Sequence, residues 1–160
     1  MNVEEVQPQV DRATLLAGAQ FADAYRVTVE DTGLDARRAA EKLFARGPRW
    51  LEALFVLRAI IVAPFGLKPS GVGEPSVGGI IGIFPVLRES PEQMVLGFDD
   101  HHLDFRIVVD VAPAGRGRQV TTTTLVKTHN SLGRTYLAAI LPFHRVIARV
   151  MLRRVFYQPT

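Results

Sequence analysis

The sequence predicts an α+β domain in which a curved antiparallel sheet packs on a long C-terminal helix, with two helices after the first strand. Three observations carry this reading. Apolar residues recur at helical spacing over residues 35–63 and again over 132–155, but with a period of two between 80 and 129. The connections between the alternating segments are short, as an antiparallel meander requires. Finally, 160 residues at 48% hydrophobic and 22% charged, with no Cys, suit one domain that buries roughly 70% of the surface of its unfolded chain. Residues 1–20 read as an N-terminal extension and 21–157 as the domain.

Each element follows from its residues. In Ala24 to Glu30, Tyr25, Val27 and Val29 share one face and Arg26 and Thr28 the other, which makes a first strand. Asp35 is placed to N-cap a helix over DARRAAEKLFAR, and Pro48 opens a second helix from about Arg49 to Ala63. Pro64 and Gly66 stop that helix short of the ~20 apolar residues that span a bilayer. A Pro/Gly/Ser-rich loop, Lys68 to Gly79, leads into strands near Ile80–Glu89, Met94–Phe98, Leu103–Val111 and Val120–His129. Turns fall at Ser90-Pro91-Glu92, Asp99-Asp100-His101 and Pro113 to Gly117. The closing helix, about Leu132 to Val155, carries an apolar stripe through Leu137, Ile140, Leu141, Ile147, Ala148, Met151, Leu152 and Val155. Pro142 is expected to kink or divide it.

Composition and charge exclude several classes. Gly and Pro are too few for collagen-like or low-complexity chains, and apolar residues too many for disorder. Without Cys there are no disulfides, thiolate zinc sites or Cys nucleophiles. The formal charge of +3 is uneven. Residues 131–160 hold five Arg and no acid, whereas the other 130 residues hold 14 basic against 16 acidic side chains. A mildly acidic body argues against a nucleic-acid partner. The first twenty residues carry acids early and lack a basic segment ahead of a long apolar run, so the expectation is a cytoplasmic protein.

The segments GPRWLEALFVLR, IGIFPVLRESPEQMVLGFDDHHLDFRIVV and VKTHNSLGRTYLAAILPFHRVIARVMLRR resemble the bacterial domain-of-unknown-function 2867 family, from Tyr25 to Arg154. That family is in turn similar to the START-like (SRPBCC) helix-grip superfamily. The resemblance implies a small apolar or amphipathic molecule held in a cavity between sheet and C-terminal helix. It supplies no catalytic residues and no cofactor. Similar modules also occur fused behind oxidoreductase-like domains, which this chain has no room for, so any redox role would fall to a separate oxidoreductase partner. The candidates for the cavity wall are Phe105, Ile107, Val109, Thr122, Thr124, Leu141, His144 and Met151.

A second group is polar. Asp99-Asp100-His101-His102-Leu103-Asp104 is the densest cluster, and two hairpin registers bring it toward His129. One pairs Val111 with Val120, Phe105 with Val126 and Asp104 with Lys127, matching core faces and opposite charges. The other, shifted by one residue, sets Leu103 against Lys127 and is disfavoured. His101, His102, Asp104, His129 and Asn130 thus gather at one end of the hairpin. They could serve as an acid/base or His/Asp metal site. Against this stands a purely structural duty of fixing the sheet end, with Asn130 or Ser131 capping the last helix. No metal motif such as HExxH is present. The glycines of GVGEPSVGGIIG follow a helix and precede a strand, the reverse of a phosphate-binding turn. Arg145, Arg149 and Arg153, one helical turn apart, read as a solvated face, with contact to an acidic membrane surface as the alternative.

Overall fold

The structure, a computed structural model, describes residues 2–45, 79–82, 84–99 and 103–156. The expected Arg49–Ala63 helix, nearly all of the Lys68–Gly79 loop, and His101 and His102 lie outside the described residues. The elements in chain order are β1 (Glu4–Val6), α1 (Arg12–Leu15), β2 (Phe21–Val29), α2 (Ala36–Phe44), β3 (Ile80–Ile81), β4 (Phe84–Glu89), β5 (Gln93–Asp99), β6 (Leu103–Ala114), β7 (Gly117–Thr128) and α3 (Ser131–Arg153). A 3-10 turn, Arg154–Phe156, ends α3.

All seven strands form one antiparallel sheet in the order β1-β2-β7-β6-β5-β4-β3, so the first long strand pairs with the last. The expected α+β class, antiparallel sheet and long C-terminal helix are what the chain forms. The β6–β7 register is the one that matched core faces and charges: Asp104 faces Lys127, Phe105 faces Val126 and Val111 faces Val120. A one-residue slip would have turned this whole core face outward.

Several boundaries differ from expectation, each for a local reason. β2 begins at Phe21 rather than Ala24, because β7 continues past it and pairs Phe21 with Val126. The segment near Ile80 is two strands, the chain folding back at Gly82, whose φ of 63° suits glycine. The expected Pro113–Gly117 turn shrinks to Gly115-Arg116, with Ala114 facing Gly117. Gly115 has φ 57° and Arg116 does not share the positive φ, the pattern of a II′ hairpin turn. Pro113 fits in the strand because Val111, two residues earlier, donates its N–H to Glu92 on the β5 side. Pro113 therefore points its missing donor past the end of β5, where no ladder bond is lost. The first twenty residues contribute β1, a short edge strand on β2.

Asp35 caps α2, its Oδ1 accepting the Arg38 N–H at 2.8 Å. Ala36, Ala39, Ala40 and Leu43 form the buried face of that helix, and the small alanines let it lie close on β5 and β6. On its solvent side Arg37 donates to both oxygens of Glu89 in β4, at 2.6 and 3.0 Å. The core below α2 includes Val27, Val29, Val86, Met94, Leu96, Val109, Val111 and Val120.

The helix α3 crosses the other part of the same face. Asn130 caps it, Oδ1 accepting the Gly133 N–H at 2.9 Å. Of the two expected effects of Pro142, a kink or a division, division does not occur: the helix is one element through Pro142. Pro142 and Ala138, whose carbonyl loses its helical donor, are both exposed, so water can take that bond. Only Gly133 near one end and Met151 and Leu152 near the other are buried. Along the middle of the helix even the inward side chains are only half-buried.

Candidate functional site

What separates α3 from the sheet is a cavity of about 280 Å³, near the lower end of the ~300–1,000 Å³ typical of small-molecule sites. The strand alternation builds its floor: Phe105 and Ile107 from β6, and Thr122, Thr124 and Val126 from β7, all project to the same side. The helical period builds its roof: Tyr136, Leu137, Ile140, Leu141, His144, Ile147, Ala148 and Met151 of α3 face down onto it. Toward the α2 side the wall is aromatic. Phe44, Phe84, Phe105 and Phe98 form a continuous row with ring centroids 5.4, 5.7 and 5.5 Å apart in sequence. Such tilted and edge-on contacts stiffen a wall by favouring particular ring orientations.

Opposite this row lies His144, one of two ionisable side chains among the described lining residues, the other being Tyr136 of the roof. Its Nε2 lies 3.0 Å from Oδ2 and 3.2 Å from Oδ1 of Asp23, a residue of β2 that is 11% exposed. Phe21 packs edge-on against the imidazole, with centroids 5.9 Å apart and planes at 85°. A carboxylate only accepts hydrogen bonds, so Nε2 carries the proton and donates it to Asp23. Thr124 stands directly opposite Asp23 in the β2–β7 ladder, and Thr122 opposite Tyr25. The cavity thus has an apolar body and one polar end.

Seven of the eight residues anticipated for the cavity line it: Phe105, Ile107, Thr122, Thr124, Leu141, His144 and Met151. Val109 does not. It is fully buried in the core where α2 packs on β5 and β6, beyond the point where the cavity ends. The polar cluster lies elsewhere. His129 Nε2 is 2.9 Å from Asp104 Oδ1, joining the sheet end on the face away from the cavity, and neither residue lines it. Among the described residues no group of three His, Asp or Glu side chains is placed to hold a metal. Asn130 is engaged as the α3 cap.

Asp23 and Phe21 were not anticipated. The signal was available: carrying the alternation of Tyr25, Val27 and Val29 back two and four residues puts Asp23 and Phe21 on the buried face. A carboxylate on a buried strand face calls for a partner. Close by, the Tyr25 hydroxyl is buried without one. Burial first, and then the charges of Asp23 and Glu5, push its pKa up.

Solved structures similar to this chain include the following two. A protein from Rhodobacter sphaeroides aligns over 94% of this chain and 95% of its own, at 15% identity and a TM-score of 0.42. CalU16 from Micromonospora echinospora aligns over 84% and 80%, at 12% identity and a TM-score of 0.32. No curated protein matches the sequence. Residues 15–151 match the family described as "Protein of unknown function (DUF2867)", and the chain therefore belongs to that family.

Proposed function

We propose that this chain is a helix-grip protein of START-like type that binds a small, largely apolar molecule between its sheet and α3. The observation that carries the reading is the cavity itself: about 280 Å³ walled mostly by Phe, Leu, Ile and Val side chains, with His144 and Thr124 near one end and the Tyr136 phenol in the roof. Shape and chemistry of this kind suit capture of an apolar ligand oriented by a few polar groups. The strand order supports the fold assignment, since the first long strand pairs with the last and α3 packs against both. Binding is favoured over catalysis at the His129–Asp104 pair, because a molecule in the cavity would not meet those side chains.

Thermal-shift screening against fatty acids, polyketides and aromatic compounds, with native mass spectrometry for stoichiometry, tests this. A ligand at one hundred times its Kd adds about 2.7 kcal/mol of stability, which moves the midpoint of a chain this size by roughly 5–10 °C. Ala148→Phe, which fills the cavity from the roof, is expected to abolish that shift while the protein still folds. An Ala148→Phe protein that binds the same ligands unchanged would show that they sit elsewhere and overturn the reading.

A further inference from the structure

We infer that the cavity selects ligands carrying a hydroxyl at the His144 end, that is, phenols or alcohols with an apolar body. The inference rests on the cavity being a ligand site and adds what that site reads. Asp23 holds the imidazole through Nε2–H, with both carboxylate oxygens within 3.2 Å. In neutral imidazole the other nitrogen, Nδ1, is then an acceptor. Nδ1 has no hydrogen-bond partner among the described residues. It is not sealed off either: among the described residues the fully buried side-chain polar atoms without a partner belong to Tyr25 and Thr123, not to His144. His144 lines the cavity, so in its neutral form the group it offers a ligand is a lone pair on a ring fixed from behind.

A lone pair so placed discriminates by proton. A ligand O–H can donate to Nδ1, whereas an ether or ketone oxygen meets it with a second lone pair. The hydroxyl oxygen can in turn accept from the Thr124 or Thr122 hydroxyl, which line the same cavity. Elsewhere the described wall is almost entirely hydrocarbon, so the rest of the molecule must be apolar. Asp23 acts here as a positioning residue. It sets which ring nitrogen bears the proton and so decides the sign of the selection.

The test compares 2-naphthol with 2-methoxynaphthalene, which share an apolar body and an oxygen but differ in the O–H. Each is titrated into the intact chain and followed by ligand fluorescence. The wild-type protein is expected to bind 2-naphthol about tenfold more tightly, the fold-change of one hydrogen bond made out of water. In His144→Leu that ratio should fall to about one while 2-methoxynaphthalene still binds. In Asp23→Asn the amide can donate to Nε2 and move the ring proton to Nδ1, so the ratio should fall to one or invert. Equal wild-type binding of the two compounds would overturn this inference and leave the cavity reading standing. A wild-type preference that survives His144→Leu would likewise overturn it, by placing hydroxyl recognition elsewhere. Uptake of neither compound by the wild-type protein would count against both readings together.

Discussion

Two polar residues, buried Tyr25 and half-buried Asp110, cost the fold stability. The Tyr25 hydroxyl is sealed without a partner, although its ring packs in the core and carries the Arg149 guanidinium 5.7 Å above its centroid. An unsatisfied buried hydroxyl costs roughly 1–3 kcal/mol. Tyr25→Phe removes the cost and keeps the ring, so urea denaturation should find it more stable by about 1 kcal/mol, against the usual trend for core substitutions. Asp110 on β6 accepts the Gln93 Nε2–H at 2.9 Å, yet burial pushes its pKa up, more than that hydrogen bond lowers it. A carboxyl whose pKa is higher folded than unfolded binds more protons in the native state. Its ionisation therefore costs stability as pH rises from the unfolded pKa through the folded one. Asp110→Asn should raise the melting temperature at pH 7 and leave it unchanged at pH 3, where the carboxyl is protonated in both states. An unchanged melting temperature at pH 7 would show that Asp110 is not penalised.

At the scale of elements, legibility followed the strength of the local pattern. The β6–β7 register could be read because Phe105, Val109 and Val111 alternate against Val120 and Val126 while Asp104 meets Lys127. The caps at Asp35 and Asn130 could be read because a short polar side chain precedes a helical apolar pattern at each. The start of β2 could not, since Phe-Ala-Asp-Ala lacks the β-branched residues that mark strands, and only pairing with β7 makes it one. β1 was illegible for a similar reason, being three residues of which two are acidic. With the start of β2 went Asp23. Its link to His144 spans 121 residues, and no spacing rule in a single sequence reports such a pair. Val109 failed differently: alternation tells which face a side chain takes, but not whether a helix or a cavity lies above it.

The helix α3 carries its own prediction. Its buried residues are near its ends, Gly133 and then Met151 and Leu152, while Phe143 and Val146 on its outer side are 66% and 62% exposed. The run Ser131–Phe156 is, by length and composition, apolar enough to cross a membrane, yet little of it is buried. One side of it roofs the cavity and owes its apolar character to that. Hydrogen exchange should show the weakest protection over residues 136–147, and a cavity ligand should raise protection there more than at 150–153. Ligand-induced protection confined to the ends would contradict a roof whose middle meets the ligand.

For the whole molecule, the pairing of β2 with β7 decides when the site can exist. The polar end needs Asp23 from the first long strand and His144 from the last helix, and the floor beneath it needs β7. Contacts so distant in sequence are slow to form, because the loop they close costs entropy before they return any stability. A growing or refolding chain can build the β4–β7 meander from neighbours alone, each hairpin a short closure. Ligand competence therefore arrives only with α3, after every strand of the sheet has been made. A small apolar molecule that binds this protein would report on completion of the fold, and a chain cut short before residue 131 would have a sheet but nothing to recognise.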